Sequence, residues 1–131
     1  MDGPTGVPTR VLVADDEEDI RVLVGLAVRK AGCEVVASVA DGTQALAVAR
    51  SERPALVVLD VSMPGATGLE VCAQLRADPE LAGCRVLLLS AGASPDDVSR
   101  GLAAGADAYL PKPFTVAGLV RQVRALTGAA A

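Results

Sequence analysis

Three short runs in this chain are apolar at nearly every position: VLVA (11–14), ALVVLD (55–60) and RVLLLS (85–90). A strand with one face in water alternates apolar and polar side chains; a strand covered on both faces does not. Helical patterns lie between the runs. Ile20, Leu23, Val24, Ala27, Val28 and Ala31 recur at the spacing of one helix face, and Gly32 supplies a stop. EVVASVA (34–40) reads as a further strand, Asp41-Gly42 as a turn, and 43–50 as a helix closed by Pro54. Residues 68–77 are helical until Asp78-Pro79 breaks them. Ser94-Pro95-Asp96-Asp97 starts another helix, with Ser as the cap, Pro in the first turn and acids where the helix dipole favours them. That helix carries Gly101 and Gly105, which makes it the least stable of the set. AYLPKPF (108–114) is a short fifth strand running into a Lys-Pro turn, and Val116, Leu119, Val120 and Val123 mark a last amphipathic helix. Strands and helices in alternation, with the strands apolar on both sides, imply an α/β fold: a doubly wound, five-stranded parallel sheet with five helices.

A chain of 131 residues suits one domain with a core of its own. Tyr109 and Phe114 are the only aromatics, so that core is built from Ala, Val and Leu. The expected organisation is a flexible N-terminal segment (1–9), one domain over 10–127 and a flexible tail (128–131). A net charge of −4 argues against direct nucleic-acid binding. No apolar run approaches the roughly eighteen residues needed to cross a bilayer, and MDGPTGVPTR lacks the basic and apolar regions of a signal peptide. Cys33, Cys72 and Cys84 are widely spaced with no CxxC pair, which points to reduced thiols filling the core of a cytoplasmic protein.

The chemistry gathers at strand ends. The first run ends in Asp15-Asp16, the third strand in Asp60, the fourth in Ser90, and the fifth near Lys112-Pro113. Parallel strands bring these side chains to one edge of the sheet, where α/β folds place their ligands. Three carboxylates there repel one another unless a cation joins them, and hard oxygen ligands select Mg²⁺, with Mn²⁺ as a substitute. Each residue also has an ordinary reading. Asp15 to Asp19 can serve as a helix cap and acidic first turn, which suffices for Glu17, Glu18 and Asp19. Asp60 can be a turn residue before Pro64-Gly65, Lys112 a solvated turn residue, and Tyr109 plain packing. Those readings must hold separately at every strand end, whereas one site explains all of them.

In order and type, the motifs VADDE, LDVSMPGATG, LLSA and YLPKPF resemble the receiver domain of bacterial two-component response regulators, of the chemotaxis-regulator kind. The resemblance runs from about Arg10 to Thr127. It implies a flavodoxin-like sheet of strand order 2-1-3-4-5. It also implies that Asp60 accepts a phosphoryl group and that Asp15 and Asp16 hold the metal with Asp60, Asp16 directly and Asp15 largely through water. The backbone carbonyl of Ser62 would be a further ligand. Ser90 and Lys112 would bind the phosphoryl group, Tyr109 would be the aromatic switch, and Ser62 and Gly92 would tune the lifetime of the acyl phosphate. Pro113 would follow a cis bond. The donor would be a sensor histidine kinase or a phosphotransfer protein. The surface of the fourth helix, fifth strand and fifth helix would then switch toward a downstream protein target or effector domain. A phosphorylation-dependent homodimer is left open. So is whether the receiver stands alone or is cut from a longer chain. On this reading the chain is not an enzyme but a phosphoacceptor that promotes its own phosphoryl transfer and slow dephosphorylation.

Other functions of the fold class fit less well. A flavin binder needs a hydroxyl- and glycine-rich loop after the first strand, and here that loop is acidic. An aspartyl-phosphate phosphatase calls for D-x-D there, and these aspartates are adjacent. The alternative that stays is a receiver-fold binding module that is never phosphorylated. Loss of an acidic residue or of the lysine would mark it, and none is missing.

Overall fold

The computed structural model describes residues 8–92 and 94–128. The loose ends expected at 1–9 and 128–131 fall mostly on residues 1–7 and 129–131, outside the described residues. Strands β1 (Arg10–Ala14), β2 (Glu34–Val39), β3 (Leu56–Asp60), β4 (Arg85–Ser90) and β5 (Ala108–Pro111) alternate with helices α1 (Glu18–Lys30), α2 (Gly42–Glu52), α3 (Gly68–Ala77), α4 (Pro95–Ala103) and α5 (Val116–Thr127). The strands form one parallel sheet in the order β2-β1-β3-β4-β5.

Side-chain alternation along each strand divides the core in two. Val11, Val13, Leu56, Val58, Leu87 and Leu89 pack with α1 and α5. Leu12, Ala14, Val57, Leu59, Val86 and Leu88 pack with α2 and α3. All of these are at most 1% exposed, so the apolar runs are strands covered on both faces. Cys33, Cys72 and Cys84 are free and buried, as core filler should be, and burial pushes the Cys72 thiol up to about 11.

Several boundaries differ from the sequence reading for local reasons. Asp41 and Gly42 do not form a separate turn; the Asp41 side chain accepts from Gln44 N–H at 2.7 Å and caps α2. At its other end α2 runs to Glu52 and stops with Arg53 in the left-handed region, ahead of Pro54. Strand β5, as expected, is short: it ends at Pro111, where the chain enters the Lys112-Pro113 turn. Gly105 lies beyond α4, at φ +106, where a helix commonly ends on a glycine. Gly101 is inside α4 and buried; a Cβ there would fall 2.9 Å from the Tyr109 ring and 3.0 Å from Leu88. Close packing is therefore what this glycine provides. On α1, Leu23 is 38% exposed although it falls on the expected inner face.

Leu56 is fully buried and distant from the strand ends that carry the chemistry. Leu56→Ala should lower stability by about 2–5 kcal/mol in urea unfolding, with the slope of the transition unchanged.

Candidate functional site

Strand register brings the polar strand ends together. Ala14 pairs with Leu59, which puts Asp15 beside Asp60; Asp60 pairs with Leu89, and Ser90 with Pro111, next to Lys112. Backbone bonds continue the alignment past the strands: Val61 N–H to Leu89 O at 2.9 Å and Lys112 N–H to Ser90 O at 2.7 Å. Gly68 lets α3 close under this edge. Its N–H donates to Val61 O at 2.9 Å, and a Cβ there would meet Asp60 O at 2.3 Å.

Asp15 is fully buried and Asp60 is 4% exposed. Both Asp15 oxygens are engaged: Oδ1 accepts from Glu17 N–H at 2.9 Å and Oδ2 from Lys112 Nζ at 3.0 Å. Its carbonyl accepts from Arg21 at 2.7 Å. Asp60 Oδ1 accepts from Ser62 N–H at 3.3 Å, and Oδ2 lies 3.5 Å from Lys112 Nζ. Asp16 is exposed and has no hydrogen-bond or ion-pair partner among the described residues. Asp15, Asp16 and Asp60 each offer an oxygen within 4.8 Å of the others. That donor set of hard, anionic oxygens fits a small divalent cation. A cleft of about 220 Å³ lined by Asp16, Glu17, Asp60, Ser62, Ala91 and Lys112 opens onto it.

Burial first, and then the Asp15 carboxylate, raise the Asp60 carboxyl to about 6 against the opposing pull of Lys112 and the Ser62 N–H. Burial works against the Lys112 ammonium, but Asp15, Asp60 and Glu17 outweigh it and hold its pKa above the usual lysine value. Lys112 also reaches Glu17 Oε1 at 3.4 Å. The helix-start reading of Glu17 thus missed a contact: Glu17 is the N-cap position of α1 but makes no side-chain cap bond. Its place directly after the aspartate pair is the one signal in the sequence, and it does not distinguish Glu17 from Glu18 or Asp19.

Ser90 stands at the end of β4, and Tyr109 packs in the layer of α2 and α3. By strand alternation both fall with Leu88 rather than with Asp60. Gly92 ties them together: its N–H donates to Ser90 Oγ at 3.0 Å, and its carbonyl accepts from the Tyr109 hydroxyl. The Tyr109 hydroxyl thus reaches the loop after β4. The Lys112–Pro113 peptide bond is cis.

Comparisons with known proteins agree with this geometry. The family described as the response regulator receiver domain matches residues 11–124. The transcriptional regulatory protein PrrA of Mycobacterium tuberculosis is 46% identical over 124 residues, covering 93% of this chain and 52% of PrrA. The DNA-binding response regulator MtrA of the same species is 42% identical over 116 residues, covering 88% of this chain and 49% of MtrA. The chain thus spans about half the length of the curated relatives it matches. Among solved structures, the signal receiver domain of NarL from M. tuberculosis superposes with a TM-score of 0.87 at 34% identity, covering 95% of this chain and 99% of that one. The chemotaxis response regulator CheY4 of Vibrio cholerae gives 0.85 at 33%, covering 92% and 99%.

The raised Asp60 pKa has a consequence for stability. Between about pH 4 and pH 6 the folded chain holds a proton on Asp60 that the unfolded chain has lost, so stability falls as pH rises through that window. In EDTA, Asp60→Asn should therefore be more stable than the wild type at pH 7–8, by on the order of 2 kcal/mol, with the advantage vanishing toward pH 4. Urea midpoints across this range check it.

Proposed function

This chain belongs to the response regulator receiver family, and on that premise we propose that it signals by accepting a phosphoryl group on Asp60. The observation that carries the proposal is the convergence of Asp15, Asp16, Asp60 and Lys112 on one small cleft. A carboxylate is a poor nucleophile toward an anionic phosphorus centre unless that charge is offset and the geometry fixed. Ser62 N–H orients Asp60 from one side while Lys112 faces its other oxygen. An Asp60 oxygen forms the new bond to phosphorus as the donor's P–N bond breaks, and the donor imidazole keeps the nitrogen lone pair. Lys112 then turns from Asp60 to the transferred oxygens, tethered by Asp15. Asp16, free of other partners, and Asp60 would hold Mg²⁺ directly, with Asp15 behind them through water and the Ser62 carbonyl as a further ligand. Bound there, the ion would offset charge on the phosphoryl oxygens. The chain acts as a phosphoacceptor rather than as an enzyme with a separate substrate.

The donor, a histidine kinase or phosphotransfer protein, must approach over the strand ends. Glu17, at the start of α1, lines that mouth, and the first turns of the helix expose Val22 (64%) and Leu23 to an approaching partner. Output runs by the opposite side of the sheet. Ser90 hydrogen-bonds the new phosphoryl oxygens, releasing Gly92 N–H, and Gly92 is already joined to Tyr109. The Tyr109 ring packs on Gly101 of α4, so a shift of the β4–α4 loop reaches the α4-β5-α5 surface and a downstream target or effector domain. On this proposal the setting is the cytoplasm; among the described residues no helix is long and apolar enough to cross a membrane.

With acetyl phosphate and Mg²⁺, a Phos-tag gel should show a shifted band that Asp60→Asn abolishes and EDTA suppresses. Without an Asp60-dependent shift, the never-phosphorylated binding module becomes the better account. Ser62 and Gly92 are both small, which leaves the acyl phosphate little shielding from water. A large residue at Gly92 must also displace Asp97, whose carboxylate lies 2.5 Å from where a Cβ would sit. Gly92→Phe should lengthen the phosphoryl half-life severalfold, and an unchanged half-life refutes that role.

A further inference from the structure

The distribution of cations sets one face of the molecule apart. Arg10 on β1, Arg76 on α3, Arg85 on β4, Arg100 on α4, and Arg50 and Arg53 at the end of α2 each have a carboxylate within 4.0 Å. Lys112 has three, and Arg21 donates to the Asp15 carbonyl. Arg29, Lys30, Arg121 and Arg124 are the remaining cations, and none of them has an acidic partner among the described residues. All four lie on α1 or α5, two helices packed side by side.

Part of this is ordinary helix chemistry, because Arg29, Lys30 and Arg124 occupy last turns, where the dipole favours cations. Two further observations go beyond it. The Arg124 guanidinium is fixed by a bond from Nη2 to Lys30 O at 3.2 Å, yet its Nε is buried with no hydrogen-bond partner, the one such side-chain atom among the described residues. A buried, unpaired donor is costly and uncommon. Beside it opens a groove of about 600 Å³, with Val116, Ala117 and Val120 as its apolar part and Lys30, Arg121 and Arg124 as its charged part.

We infer that the α1–α5 face is a docking surface for an acidic amphipathic helix of a partner protein. Such a segment presents small apolar side chains to Val116, Ala117 and Val120 while its carboxylates meet Lys30, Arg121 and Arg124. A carboxylate in the groove also gives the Arg124 guanidinium, which lines it, the acidic partner it lacks among the described residues. Charge complementarity favours this occupant over nucleic acid: a continuous polyanion would meet a chain of net charge −4 and would leave the apolar part of the groove unused. A bilayer is disfavoured too, since the groove carries only small, partly covered apolar side chains and no aromatic anchor. The surface is distinct from the strand-end site and does not depend on phosphorylation of Asp60.

The test titrates the full chain against a fluorescein-labelled helical peptide of Glu, Ala and Leu, reading anisotropy and amide NMR shifts. A Lys-for-Glu version of the peptide, a short DNA duplex and phosphatidylglycerol vesicles run in parallel. Saturable binding that weakens with salt, with shifts confined to the end of α1 and to α5, is the expected result. Arg121→Glu and Lys30→Glu, both at exposed positions in the groove, should each weaken it about tenfold, while Arg121→Lys keeps it; circular dichroism verifies their folding. Absence of saturable binding, affinity indifferent to both charge reversals, shifts centred elsewhere, or tighter binding to the duplex or vesicles would each overturn the inference. Self-association of the chain through these residues, seen by light scattering, would assign the face to a second copy and overturn it as well.

Discussion

Lys112 stands 3.0 Å from Asp15 and 3.5 Å from Asp60, two carboxylates almost wholly removed from water. Burying like charges so close together is costly, and the raised Asp60 pKa records that cost. The ammonium group reduces it without removing it. The edge of the sheet is therefore folded around a charge imbalance that a divalent cation can complete, and the parallel topology makes this arrangement possible by delivering four strand ends to one place.

On the proposed function, sheet alternation separates chemistry from readout. Asp60 falls with the residues that pack on α1 and α5, whereas Ser90 and Tyr109 fall with those facing the other layer. Gly92 bridges Ser90 and Tyr109, and Gly101 seats the Tyr109 ring against α4. An event at Asp60 can thus be reported on the far side of the sheet without a long chain of intermediates. A Cβ at Gly101 would crowd the Tyr109 ring and Leu88, whereas one at Gly92 would displace only the Asp97 carboxylate.

Element sequence and strand-end residues were legible because apolar runs and their polar terminators are local patterns that a parallel sheet needs everywhere, whereas the strand order came from the family resemblance alone. Residues such as Glu17 were not. An acidic residue after an aspartate pair suits a helix start equally well, and only the reach of Lys112 from the far end of the chain, ninety-five residues away, distinguishes it. Gly105 was misplaced in α4 because helix periodicity does not reveal where a helix stops, while its positive φ and the packing of Arg76 against it do. Leu23 was misplaced because α1 buries a narrower stripe than its apolar content suggests. The cation-rich α1–α5 face was invisible in a chain of acidic composition, since charge pairing is decided in three dimensions.

The central claim is that this charge cluster makes Asp60 the group that reacts. Tandem mass spectrometry of the chain after treatment with acetyl phosphate and Mg²⁺ tests it most directly, with borohydride trapping the acyl phosphate. The account predicts a single trapped site at Asp60, lost when Lys112 is replaced by Ala. Trapping at Asp15 or Asp16, or Asp60 labelling that survives loss of Lys112 at full yield and rate, would contradict it.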